Sequence, residues 1–123
     1  MGKNIMIVDD AVAIRQAVKA SLSLNGYEVV EAVNGEDALG KLNDSIDLII
    51  CDVNMPKLDG IEFLRKMKTD EKYSKYKFKP VLMLTTETSE EKKSEGMKLG
   101  AKAWIVKPFK PDKLIESVAK LIG

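Results

Sequence analysis

Residues 5–10 read Ile5-Met6-Ile7-Val8-Asp9-Asp10, four apolar residues that run straight into two carboxylates. A run this short, with no polar alternation, fits a strand buried on both faces better than a helix. Three further stretches repeat the arrangement. Leu48-Ile49-Ile50-Cys51 precedes Asp52, Val81-Leu82-Met83-Leu84 precedes Thr85, and Ala103-Trp104-Ile105-Val106 precedes Lys107-Pro108. Each polar residue therefore stands at the carboxyl end of a strand. If the strands are parallel, these ends lie along one edge of one sheet. Three carboxylates, a hydroxyl and an ammonium then meet in one pocket, a set that can hold a divalent cation beside an oxyanion such as phosphate.

The intervening segments support the parallel arrangement. After a first strand at about 4–9, residues 11–25 place Val12, Ile14, Ala17, Val18, Leu22 and Leu24 near a helical period, and Asn25-Gly26 is a good stop. A second strand runs Tyr27–Ala32, and Asn34-Gly35 turns the chain into a short helix with Ala38, Leu39 and Leu42. The third strand is Asp47–Cys51 and the third helix about Gly60–Thr69; the fourth strand is Pro80–Thr85. Ser89 caps the fourth helix, with Glu90 and Glu91 in its first turn. A fifth strand, Ala103–Val106, leads to a fifth helix that begins at Pro111. Alternating strands and helices imply an α/β fold, a doubly wound five-stranded parallel sheet with right-handed crossovers. Ligands in such sheets bind beyond the carboxyl ends, where the strand order reverses. For Asp10 and Asp52 to share a ligand, the first and third strands must be neighbours, which gives the order 2-1-3-4-5.

At 123 residues, 45% hydrophobic and 32% charged, the chain reads as a single domain, 1–123, with a full core. A net charge of +1 provides no bulk field for nucleic acid or anionic lipid. No apolar run approaches the roughly 20 residues of a membrane span. Met1-Gly2-Lys3-Asn4 leads through a brief apolar run to two aspartates, so it is no signal peptide. Met6 stands where a myristoylation motif wants Ser or Thr. The expected setting is cytoplasmic, with no membrane or nucleic-acid partner. Cys51 is the only cysteine and reads as a small buried hydrophobe. Histidine is absent, so a histidine-borne phosphoryl donor must come from another chain.

Asp9, Asp10 and Asp52 placed close together repel unless a cation is present. Mg²⁺ (or Mn²⁺) suits them, as a hard ion that takes one or two carboxylates and keeps waters for a phosphate. The competing reading of Asp10 is a helix N-cap, but the adjacent aspartate and the third one at Asp52 favour the metal. No glycine follows the first strand to cradle phosphate on backbone amides. Lys107 precedes a proline, which favours an extended backbone and allows a cis bond. Thr85 gains interest only through its company.

The set closely resembles the receiver domain of two-component response regulators. The matching residues are Ile7-Val8-Asp9-Asp10, Cys51-Asp52-Val53-Asn54-Met55-Pro56, Asp59-Gly60, Leu84-Thr85 and Val106-Lys107-Pro108-Phe109. The resemblance spans nearly the whole chain and implies a flavodoxin-like or CheY-like (βα)5 fold. It implies that Asp52 accepts a phosphoryl group from a sensor histidine kinase or a histidine phosphotransfer protein, and that the chain catalyses its own phosphorylation and slow dephosphorylation. Asp10, Asp52 and the backbone carbonyl of Asn54 would bind the metal directly, Asp9 mainly through water. Lys107 and Thr85 would bond phosphoryl oxygens. Trp104 stands where the family usually has a Tyr or Phe that turns inward on activation, and its bulk puts that swing in question. Thr86 stands where a smaller residue is common; with Asn54 and Glu87 it occupies the positions that tune hydrolysis.

The same resemblance assigns output to the face of the fourth helix, fifth strand and fifth helix. Lys92, Lys93, Lys98, Lys102, Lys113 and Lys120 there suit an acidic downstream protein. The fourth helix is the expected yielding element, with only Met97 and Leu99 as large apolar anchors and Gly96 weakening it. Lys72-Tyr73-Ser74-Lys75-Tyr76-Lys77-Phe78-Lys79 interleaves lysines and aromatics, but its place before the fourth strand puts it at the end away from the acidic pocket. The expected assembly is a monomer or a phosphorylation-dependent dimer; with no output domain in 1–123, the chain reads as a stand-alone regulator of the chemotaxis or relay type or as a receiver cut from something longer. An aspartyl-nucleophile phosphatase of the dehalogenase type is the enzyme alternative, yet Asn54 stands where its general acid would be. A receiver without chemistry, acting only as a docking module, is the third reading.

Overall fold

The structure, a computed structural model, describes residues 2–123. Its elements are β1 (Asn4–Val8), α1 (Val12–Leu24), β2 (Glu28–Ala32), α2 (Gly35–Lys41), β3 (Ile46–Cys51), α3 (Gly60–Thr69), β4 (Val81–Thr85), α4 (Glu90–Lys98), β5 (Ala103–Val106) and α5 (Pro111–Ile122). All strand pairs are parallel, in the order β2-β1-β3-β4-β5. The topology expected from the sequence is the one observed.

Side-chain alternation explains the unbroken apolar runs. Met6, Val8, Ile49, Cys51 and Met83 face one layer with Phe63, Leu64 and Met67 of α3. Ile5, Ile7, Leu48, Ile50, Leu82 and Leu84 face the other with Val18 and Leu22 of α1 and Leu114 and Val118 of α5. A strand with helices on both sides needs apolar residues at every position. Local signals then fix the ends. Asn34 Oδ1 accepts from the Asp37 amide, Ser89 Oγ from the Lys92 amide, and Gly26 takes φ +85 just past α1.

Two expectations need correction. The four runs were expected to be buried alike, but β5 pairs only with β4. Its residues are consequently half-buried and Val106 is exposed. Met97 does not anchor α4: it is 41% exposed, and the buried residue of that helix is Gly96. The lysine–aromatic segment contains a short 3₁₀ helix, Glu71–Tyr76, capped by Asp70. Tyr73 and Tyr76 pack against the core, while Phe78 is 85% exposed with the Lys77 ammonium 5.2 Å from its ring centre. Among the described residues no helix is long and apolar enough to cross a membrane.

Candidate functional site

The chain leaves β1 at Asp9, whose amide donates to the Ala32 carbonyl of β2 (3.1 Å). Asp9 Oδ1 accepts from the Ala11 amide at 2.9 Å, so this side chain makes the turn into α1. Asp10 does not cap the helix, which starts without a side-chain cap. On the neighbouring strand, the Asp52 amide donates to the Val8 carbonyl (2.9 Å). Its Oδ1 accepts from the Asn54 amide at 3.3 Å. These adjacent strand ends bring one carboxylate oxygen each of Asp9, Asp10 and Asp52 within 4.8 Å of one another. Asp9 and Asp52 are buried; Asp10 is exposed and its carboxylate makes no hydrogen bond among the described residues.

Lys107 supplies the opposing charge from beyond β5. Its amide donates to the Thr85 carbonyl at 2.8 Å, which extends the β4–β5 ladder, and the Lys107–Pro108 peptide is cis. Its Nζ lies 2.6 Å from Asp9 Oδ2 and 3.2 Å from Asp52 Oδ2, and all three side chains are at most 8% exposed. The buried carboxylates are therefore bridged by one ammonium.

Gly60 lies against the backbone of Asp52, and Cys51 is buried in the core just before it. A Cβ at Gly60 would stand 2.0 Å from the Asp52 carbonyl oxygen. Glycine thus lets the start of α3 pack directly on the backbone that carries Asp52. Asp59 and Glu62 close a capping box at that helix start. Burial, then the charges of Asp52 and Asp9, push the Cys51 thiol well above its ordinary range, so it stays protonated.

Thr85 and Trp104 belong to a second, connected group. The buried Thr85 Oγ1 accepts from the Glu87 amide at 3.1 Å, and the Trp104 indole Nε1 donates to the Glu87 carbonyl at 3.2 Å. Glu87 Oε2 in turn accepts from the Ser89 amide that precedes α4 (3.1 Å). One residue of the β4–α4 loop therefore joins β4, β5 and the start of α4. Asn54 and Thr86 are exposed and Glu87 is half-buried.

A family model described as the response regulator receiver domain matches residues 5–119. The chain belongs to that family. Receiver domains are the phosphorylation-activated signalling switches of two-component response regulators, addressed by histidine kinases. This receiver domain is 36% identical to the chemotaxis protein CheY1 of Helicobacter pylori, over 97% of its own length and 96% of that protein's. It is 39% identical to the phosphate regulon transcriptional regulatory protein PhoB of Pseudomonas aeruginosa, but spans only 49% of that longer chain. Among solved structures, the Vibrio cholerae chemotaxis protein CheY4 aligns with a TM-score of 0.88 and 45% identity, covering 98% of this chain and 99% of that one.

Sequence reasoning overlooked two residues beside this receiver's acidic cluster. Arg15 of α1 donates from Nη1 to the Asp9 carbonyl (2.6 Å) and from Nε to Glu31 Oε1 (3.1 Å). Partial burial pushes the Glu31 carboxyl up, but hydrogen bonds from Arg15 and Lys19 outweigh it and hold the group below its ordinary range. Glu31 could have been flagged as a charge within a β-branched strand, but nothing local pairs it with a residue 16 positions earlier.

Proposed function

We propose that Asp52 accepts a phosphoryl group from the phosphohistidine of a sensor histidine kinase or histidine phosphotransfer protein, and that the product changes the α4-β5-α5 face. The observation that carries this reading is the buried Asp52 carboxylate, held beside Asp9 and Asp10 with the Lys107 ammonium 3.2 Å away. A carboxylate oxygen of Asp52 bonds to phosphorus as the donor's P–N bond breaks. The bonding pair leaves with the imidazole, which departs neutral when its other nitrogen is protonated. Such transfers need in-line positioning and charge neutralisation more than covalent assistance.

The donor set fits Mg²⁺ (or Mn²⁺): the ligand atoms are carboxylate oxygens, and the Asp10 side chain has no competing partner among the described residues. Asp10, Asp52 and the Asn54 carbonyl would hold the ion, with Asp9 mainly through water. When bound, it supplies charge neutralisation for the phosphoryl oxygens. Lys107 keeps the remaining charge balanced and pairs with a phosphoryl oxygen. Slow hydrolysis reverses the modification: water oxygen bonds to phosphorus, the Asp52–phosphorus bond breaks, and phosphate departs with the water's protons. Asn54, Thr86 and Glu87 stand at the positions that, by the receiver resemblance, tune its rate.

Thr85 reads the product. Its hydroxyl accepts from the Glu87 amide and still has a proton to donate to a phosphoryl oxygen. Thr85 gains a charge-assisted bond worth about 1.5–3 kcal/mol, while Lys107, already paired with Asp9 and Asp52, exchanges a carboxylate for a phosphoryl oxygen. A gain of that size shifts a two-state equilibrium by roughly 10–150-fold. The Glu87 peptide carries the change to Trp104 and α4, and the lysine-bearing face presents it to an acidic downstream protein. The reading places the chain in the cytoplasm, where a nucleotide-fed kinase works. Addition of Mg²⁺ and beryllium fluoride tests it through Trp104, the sole tryptophan. Its emission should change in the wild type and not in Asp52→Asn; an unresponsive wild type overturns the reading.

A further inference from the structure

Asp10 projects its carboxylate toward Asp9 and Asp52 with no hydrogen bond to that carboxylate among the described residues. Its position depends on its backbone. The Asp9 carbonyl, half of the Asp9–Asp10 peptide, accepts from Arg15 Nη1 at 2.6 Å, and no other polar restraint acts on that peptide among the described residues. The guanidinium is itself fixed: its Nε donates to Glu31 Oε1 (3.1 Å) and its side chain is only 12% exposed. The Asp9 amide is bonded to Ala32, the next residue of β2. The edge strand β2 thus grips the Asp9 backbone on both sides, through the ladder and through Arg15.

We infer that Arg15 is a positioning residue that orients the Asp9–Asp10 peptide and so sets the metal affinity of the acidic cluster. The inference rests on the reading of Asp10 as a metal ligand. A planar fork can reach a carbonyl and a carboxylate at once, whereas an ammonium has no fixed geometry for the pair. The positive charge of Arg15 near the cluster acts in the opposite sense, opposing a cation. Orientation therefore has to outweigh repulsion for the inference to hold, and this gives it a definite sign.

Binding of Mn²⁺ to the full chain, followed by the electron paramagnetic resonance of the free ion, separates the two. The wild type should bind one ion. Arg15→Gln should bind about tenfold more weakly, within the ~10–100-fold range typical for partners behind metal ligands. Arg15→Lys, which keeps the charge but not the fork, should also be weaker than wild type. Urea midpoints measured alongside establish that the variants are folded. Equal or tighter binding by Arg15→Gln, with wild-type binding intact, overturns the inference and leaves the metal reading standing. A wild type that binds no Mn²⁺ overturns both. Should Arg15→Gln fail to fold, Glu31→Gln, which releases the far end of the guanidinium, replaces it: weaker binding supports the inference and unchanged affinity overturns it.

Discussion

Gly96 is where α4 meets the body of the protein, and adding one methyl group there tests how Trp104 is seated. A Cβ at Gly96 would lie 2.9 Å from Trp104 Cζ3 and 3.3 Å from Ile61 Cδ1, against an ordinary carbon–carbon separation of about 3.5–4.0 Å. Alanine in a helix interior gains about 1 kcal/mol over glycine. Overpacking against a rigid ring costs about 1–3 kcal/mol. If the ring yields, the indole bond to the Glu87 carbonyl is lost as well, at about 1 kcal/mol. The balance for Gly96→Ala is a loss of roughly 1–3 kcal/mol, with red-shifted tryptophan emission as the indole enters water. Gly40→Ala is the control: in α2 a Cβ there meets nothing within 4 Å, so only the gain of about 1 kcal/mol should remain. Urea unfolding with emission spectra reads both quantities. Gly96→Ala that is as stabilising as Gly40→Ala, with unchanged emission, refutes this picture of α4 resting on Trp104.

Lys107→Met removes the ammonium between Asp9 and Asp52 and should cost about 3–5 kcal/mol of stability, part of it restored by Mg²⁺; a loss below about 1 kcal/mol in urea unfolding contradicts that bridge. Glu31 and Asp37 are held below their ordinary 4.5 and 3.8. For Asp37 the leading cause is the Val33 amide, and for Glu31 the Arg15 and Lys19 bonds overcome burial. The stability these groups contribute is therefore present above those values and lost as pH falls through and below them. Urea midpoints from pH 6 to 3 should fall less steeply for a Glu31→Gln, Asp37→Asn variant, and an unchanged slope would reject the linkage. Native-state hydrogen exchange should find α4, with only Gly96 buried, faster than α5, which buries Leu114 and Val118; equal rates would reject α4 as the yielding element.

The sheet and its order were legible because every constraint agreed. Strands buried on both faces left continuous apolar runs, and a shared ligand for Asp10 and Asp52 made β1 and β3 neighbours. Lys107 was legible as a counter-charge, but not its bridging position, which depends on a contact 98 residues apart in sequence. The fifth strand misled because composition does not distinguish an edge from a centre: Ala103-Trp104-Ile105-Val106 is as apolar as its neighbours, yet it has one partner. Met97 misled because hydrophobicity was taken for an anchor, whereas the close approach is made by Gly96, the one residue small enough to lie under the Trp104 ring. Arg15 was invisible for a different reason. Its partners are a main-chain carbonyl and a side chain on the neighbouring edge strand β2, and neither leaves a periodic trace.

The central claim is that Asp52 is the residue that becomes phosphorylated. Intact-mass analysis of the protein incubated with Mg²⁺ and a small acyl phosphate tests it most directly. The account predicts a single added phosphoryl group in the wild type and none in Asp52→Asn. An unmodified wild type, or a variant modified as fully as the wild type, would contradict it.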